Sequence, residues 1–238
     1  MRFLDERRLT ELETREFQQQ RPYPWINPEG LLRDEGFEIL LKSIPGVAHF
    51  EKSFGRPRAH GQKSHDYYNL EYDSTDPHVP PAWHEFVEEL EGEAYTRLIR
   101  RLFGTRWFRL RYHWHYSLPG SSVSAHCDSK SKLGSHIFYL NAKDEWDPAW
   151  GGETLVLDDG GRFPRRSAPE FSDFDEIIHA QTLGNRSFIF QRLEHSWHGV
   201  EELRCPEGQM RKVFIVAIDV YTPRVRVKEF FGGKKTGY

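Results

Sequence analysis

The strongest chemical signal in the chain is Ala125-His126-Cys127-Asp128. In an extended strand, residues i and i+2 share a face, so His126 and Asp128 converge while Cys127 turns away. One histidine and one carboxylate are two thirds of a facial triad. That donor set leaves open positions on Fe(II) for oxygen and a chelating cosubstrate. The third ligand would be a histidine late in the chain, and two stand in Leu193-Glu194-His195-Ser196-Trp197-His198-Gly199-Val200. Their offset puts them on opposite faces of an extended segment. A lone His-x-Asp also arises by chance, as a strand-end histidine beside a solvated aspartate. Arg211 offers a guanidinium that can hold a carboxylate with two charge-assisted hydrogen bonds; its bland reading is a surface salt bridge. Counting by twos from Arg211 gives Val213, Ile215 and Ala217, an apolar face suited to a slender diacid. Lys212 points to the other face. Counting back from Tyr139 gives Ile137 and Ser135 on one face.

Other residues compete for attention. His113-Trp114-His115 is also an i, i+2 pair and could open a cupin-type metal site, but Leu118 and Pro119 stand where such sites carry a glutamate. The pair reads as strand residues at the mouth of a substrate site. His136 falls opposite the face of Ser135 and Ile137 and reads as structural. His60 and His65 lie in a Gly/Lys-rich loop and read as ordinary surface residues, with contact to substrate as the alternative. Cys127 has no histidine arranged to activate it. Gly151-Gly152 lacks phosphate-loop spacing and reads as a tight turn. Residues 159–178 form a long polar insertion, where Arg165 and Arg166 either meet an acidic substrate or sit in a solvated loop.

The order of the motifs adds information that no single motif carries. After Asp128 come Ser135-His136-Ile137-Phe138-Tyr139-Leu140-Asn141, then Trp146, Trp150 and Gly151-Gly152-Glu153-Thr154. Arg186-Ser187-Phe188-Ile189-Phe190, His198-Gly199-Val200 and Gly208-Gln209-Met210-Arg211 follow. This order resembles the prolyl 4-hydroxylase-like branch of the Fe(II)/2-oxoglutarate-dependent dioxygenases, over residues 106–221. The resemblance implies a double-stranded β-helix, or jelly roll, buttressed by N-terminal helices. It implies iron ligation by His126, Asp128 and His198, with His198 preferred to His195 because Gly-Val follows it. It implies that Arg211 binds the 5-carboxylate of 2-oxoglutarate, that Tyr139 hydrogen-bonds the same carboxylate, and that Tyr116 lines the cosubstrate pocket. The implied reaction uses O2, with ascorbate as an auxiliary reductant, to hydroxylate an unactivated C–H bond and release succinate and CO2. The implied substrate is an amino-acid residue, free or within a polypeptide. Asp128 argues against halogenation, since related halogenases carry a small residue there. Two departures stand out: Leu203–Gly208 lengthens the path from His198 to Arg211, and Val213 replaces a small hydroxyl residue common in relatives.

The elements that must position these residues fall into two halves. Helical signals crowd residues 1–104: a charged 4–20 segment, Leu31–Ser43, and one long helix opened by Pro80-Pro81 and capped by Gly104. Residues 51–66 read as loop and Tyr67–Tyr72 as a strand. Strands are expected near 106–117, 122–128, 134–141, 153–158, 179–190, 197–202 and 210–221. Helices first and short strands after indicate an α+β chain, read as one domain over 1–238 with supporting helices (1–104), a catalytic core (105–221) and a basic tail (222–238). Two cysteines, Cys127 and Cys205, exclude a disulfide scaffold and a Cys-rich zinc site and suit a reducing, cytoplasmic setting. A net charge of −3 disfavours nucleic acid as a partner, and no apolar run suits a membrane helix. The alternatives are a cupin-like metalloenzyme that needs no 2-oxoglutarate and a non-catalytic jelly-roll binding module.

Overall fold

In the computed structural model, which describes residues 2–56 and 58–230, the helical half of the chain forms a layer behind a large sheet. Helix α1 (Glu6–Glu11) starts at Asp5, whose carboxylate accepts the Arg8 N–H. Leu12 is extended (ψ 114°), so the charged 4–20 segment is two short helices, with α2 at Thr14–Gln19. The Pro/Gly-rich stretch that follows holds a short strand, β1 (Trp25–Ile26), before α3 (Asp34–Lys42). Part of the expected 51–66 loop is a strand, β2 (Glu51–Ser53), and β3 (Tyr67–Glu71) follows. The single long helix expected after Pro81 is also two, α4 (Pro81–Glu91) and α5 (Glu93–Phe103). Gly92 adopts extended backbone there, and its carbonyl accepts the Thr96 hydroxyl at 3.0 Å. Gly104 ends α5 in the left-handed region (φ 65°), as a C-terminal glycine should.

The second half is almost all strand: β4 (Phe108–Ser117), β5 (Val123–His126), β6 (Lys132–Tyr139), β7 (Leu155–Asp158), β8 (Glu176–His179), β9 (Ser187–Gln191), β10 (Trp197–Val200) and β11 (Arg211–Val220). Helix α6 (Pro223–Phe230) follows; the rest of the basic tail lies outside the described residues. The strand expected over 179–190 is two, β8 and β9, because Gly184 (φ 81°) and Asn185 (φ 59°) turn the chain between sheets. All pairings are antiparallel. One sheet runs β1-β9-β6-β11-β4-β3-β2 and the other β5-β10-β7-β8, giving the expected jelly roll on an α+β frame.

Period-two alternation sorts the large sheet into two faces. Trp114, Phe138 and Phe214 point outward and interlock with Trp83 and Phe86 of α4; Trp83 and Phe214 rings lie 4.9 Å apart. Each such side chain contributes about 1.5–3 kcal/mol by leaving water. Their neighbours His113, His115, Ser135, Ile137, Val213 and Ile215 point the other way, into a cavity between the sheets. The 159–178 insertion is mostly exposed but is anchored by its aromatic residues. Phe163, Phe171 and Phe174 pack with Trp197 on the back of the small sheet, the Phe174 and Trp197 rings 5.8 Å apart. Among the described residues no helix is long and apolar enough to cross a membrane.

Candidate metal centre

Strands β5 and β10 pair so that His126 stands directly opposite His198. Asp128 follows two residues after His126, just past the end of β5. One potential ligand atom from each of the three lies within 4.8 Å of the others. This is the only such cluster of three or more His, Cys, Asp or Glu side chains among the described residues. His113 and His115 fall outside it, although both line the cavity, so the cupin-like ligand set does not form. His195 is also outside: its Nδ1 meets Asp159 Oδ2 at 3.1 Å on a half-exposed side chain.

The donor set is prepared chemically as well as sterically. His126 Nδ1 lies 2.9 Å from the Ser124 carbonyl, and His198 Nδ1 lies 2.9 Å from the Ser196 carbonyl. A carbonyl only accepts, so each Nδ1 carries the proton and each Nε2 keeps its lone pair. Burial, foremost, lowers both imidazole pKa values and keeps the rings neutral. Burial pushes the Asp128 carboxyl up, but the charge and hydrogen bond of the Lys132 ammonium oppose it and favour the ionised group. Lys132 Nζ sits 3.2 Å from Asp128 Oδ1. The Asp128 main-chain carbonyl accepts from Arg192 Nε at 3.2 Å and Arg165 Nη1 at 3.4 Å. Arg165 therefore braces the Asp128 backbone. Two neutral imidazoles and one carboxylate, all facing a cavity, match the donor chemistry of an Fe(II) facial triad.

The cavity holds about 330 Å³. At one end is Arg211, 7% exposed. Its Nε donates to the Gly152 carbonyl at 2.6 Å and its Nη2 to Thr154 Oγ1 at 3.5 Å. No carboxylate among the described residues pairs with it. Gly152 is required beside it: at φ 98° a side chain is strained, and a Cβ would stand 3.2 Å from Arg211 Cδ. Val213 and Ile215 continue the wall, as their spacing predicts, and Ser117 stands opposite Arg211 in the β4–β11 register.

Two expectations need correction. Tyr116 does not line the cavity. It lies on the outward face of β4, donates its hydroxyl to the Pro45 carbonyl at 3.2 Å and packs on Phe50; His115 and Ser117 occupy the inward face instead. Tyr139 stands behind the wall, not in it. Its hydroxyl donates to Thr154 Oγ1 at 2.8 Å, and burial pushes the phenol up to about 12. Thr154 presents the hydroxyl to the cavity. His136 is structural as expected, with Nδ1 2.8 Å from the Tyr95 hydroxyl. His65 is not a surface residue. It is 7% exposed, bonds Ser124 Oγ at 3.0 Å and packs its ring 4.8 Å from that of His126. It belongs to the cavity wall with Arg58 and Tyr67, a contribution from the 54–67 segment that no sequence periodicity announced.

No protein-family model and no curated relative matches the chain. Solved structures do. A Pseudomonas putida prolyl-4-hydroxylase aligns with a TM-score of 0.60 at 14% identity, over 87% of this chain and 98% of that one. A Trichoplax adhaerens prolyl hydroxylase, solved with a peptide fragment of the hypoxia inducible factor oxygen degradation domain, aligns at 0.63 and 11% identity. That alignment covers 96% of this chain and 94% of the other. A non-heme α-ketoglutarate-dependent carbocyclase from nogalamycin biosynthesis aligns at 0.61 and 12%, over 97% and 96%. The fold of this chain is that of the 2-oxoglutarate–Fe(II) oxygenases, prolyl hydroxylases among them.

Proposed function

We propose that the chain is an Fe(II)- and 2-oxoglutarate-dependent dioxygenase. In this reading it hydroxylates an unactivated C–H bond of an amino-acid residue, free or within a polypeptide, and releases succinate and CO2. One observation carries the proposal. A His-Asp-His donor set and a buried guanidinium without a carboxylate partner share one cavity. A charge taken out of water needs a counter-ion, and a diacid that also chelates the metal supplies one.

His126 Nε2, His198 Nε2 and the Asp128 carboxylate would hold Fe(II). The bound metal and cosubstrate supply the oxidising chemistry, activation of O2 coupled to oxidative decarboxylation. The chain does the rest. Arg211 and Thr154 fix the distal carboxylate, while Val213, Ile215 and Ile137 give an apolar wall to its methylenes. The Ser124 and Ser196 carbonyls set the imidazole tautomers. Arg165 and Arg192 hold the Asp128 backbone in place. The two sheets enclose the cavity between them. The peptide bound by the Trichoplax neighbour supports a polypeptide substrate here. Two free, buried thiols support the cytoplasm as the location.

The test is 2-oxoglutarate turnover to succinate by purified protein with Fe(II), ascorbate and O2, wild type against His198→Ala. Turnover in the wild type alone is expected. If neither protein turns over and neither Fe(II) nor 2-oxoglutarate raises Tm, the fold serves as a non-catalytic binding module.

A further inference from the structure

Two guanidinium groups of the cavity lack a carboxylate partner among the described residues. Arg211 is assigned above to the cosubstrate. The other is Arg58, at the mouth, whose Nε lies 3.4 Å from the neutral Gln62 Oε1. The remaining cations are balanced: Lys132 by Asp128 at 3.2 Å, and Arg111 by the buried Asp219 at 2.6 Å. Arg58 is exposed to solvent on one side and lines the same cavity as His65, His126 and His198. Its segment is held in place, with Gln62 Nε2 bonding the Ser167 carbonyl at 3.1 Å and Lys63 pairing with Glu170 at 2.9 Å. Asp128 is the only carboxylate among the residues lining the cavity, and it belongs to the donor set. His113 and His115 add no charge, because burial depresses their pKa values. The site thus keeps surplus positive charge even when a dication and a diacid cancel each other. It offers an ammonium group no carboxylate counter-ion besides Asp128.

We propose that the substrate presents a carboxylate to Arg58 and carries no ammonium inside the cavity. This rests on the dioxygenase reading and narrows it. A free amino acid would bring an ammonium with no partner, at the cost of burying an unpaired charge. An acidic side chain within a polypeptide, or a small acid whose nitrogen is acylated, fits the same chemistry.

The test uses the full chain loaded with redox-silent Mn(II) and saturating 2-oxoglutarate, titrated calorimetrically. One arm compares N-acetylaspartate α-amide with N-acetylasparagine α-amide and with aspartate α-amide, whose amine is free. The other compares nine-residue peptides that differ only in a central Asp or Asn. The acidic, acylated member of at least one arm should bind about ten-fold tighter than its neutral isostere. The free-amine probe should bind more weakly than the acylated one. Arg58→Gln should erase the preference and Arg58→Lys should keep part of it. The arm that responds identifies the source of the carboxylate. The proposal is overturned if no acidic probe binds, if the isosteres or the free amine bind as well, or if the preference survives Arg58→Gln. Weakened 2-oxoglutarate binding in Arg58→Gln would also overturn it, by assigning Arg58 to the cosubstrate. Failure of wild type to bind Mn(II) and 2-oxoglutarate before any probe is added removes the dioxygenase reading itself, and this proposal with it.

Discussion

Replacing Arg211 by Met separates cosubstrate binding from folding. Of the five N–H donors on a guanidinium, Nε is committed to the Gly152 carbonyl and one Nη2 proton to Thr154 Oγ1. Three remain, enough for a bidentate grip on a carboxylate. Charge-assisted hydrogen bonds contribute about 1.5–3 kcal/mol each, so losing the pair costs at least about 3 kcal/mol, or roughly 150-fold in Kd. At a 2-oxoglutarate concentration of about 100 times the wild-type Kd, binding stabilises the fold by about 2.7 kcal/mol. The same concentration stabilises the variant by only about 0.3 kcal/mol. For a chain of this size those figures are Tm shifts of about 5–11 °C and about 1 °C. Without ligand the variant should melt within about 2 °C of wild type. Removing a buried cation with no carboxylate partner relieves a desolvation penalty that offsets the lost bond to Gly152, and Met fills the space. The assay is thermal unfolding with Mn(II), with and without 2-oxoglutarate. A variant that keeps the full ligand-induced shift refutes the assignment of Arg211. A variant that melts many degrees lower without ligand shows instead that Arg211 is a structural element.

Two further outcomes follow from the same geometry. His198→Ala should weaken Mn(II) binding by more than about 100-fold, since loss of outer-shell partners alone costs 10–100-fold. His195→Ala should leave it within about two-fold, because His195 bonds Asp159 outside the cluster; calorimetric titration of Mn(II) decides, and equal losses would sink the ligand assignment. His136 is fully buried, and burial pushes its pKa down to about 3, with Nε2 lacking any hydrogen-bond partner in the structure. The unfolded chain protonates this residue as pH drops below about 6.5 while the native state refuses the proton, so stability falls with pH across that window. Its share between pH 7.5 and 5.5 is about 1.4 kcal/mol. Urea unfolding of His136→Leu should therefore lose about that much less stability over the two pH units. An unchanged pH dependence would mean that His136 titrates normally.

What could be read beforehand and what could not divide along a physical line. Within a strand, side chains alternate with period two, so Asp128 follows from His126, and Val213 and Ile215 follow from Arg211, without knowledge of the fold. Tyr116 was placed by its distance from His126, and that count crosses the turn at 118–122. A loop resets the alternation, and only the β4–β11 register, with Ser117 opposite Arg211, shows that the odd-numbered residues face inward. Tyr139 has the right parity but its hydroxyl is taken by Thr154, a contact between the two sheets that spacing does not encode. The helix breaks at Leu12 and Gly92 escaped because the same apolar rhythm runs through them.

His65 and Arg58 lie on a segment with no periodicity at all. They reach the cavity because Gln62 and Lys63 anchor that segment to the insertion, about a hundred residues away in the chain. This division bears on specificity. The groups assigned to metal and cosubstrate stand on or beside paired strands, where period and register place them, and solved structures with quite different named activities share that frame. The groups argued to meet the substrate come from a segment placed only by tertiary contacts. A change in that segment can alter which molecule enters while the His-Asp-His set and Arg211 keep their ladder positions. Exchanging Arg58 is therefore a sharper probe of what this chain acts on than any substitution on β5, β10 or β11.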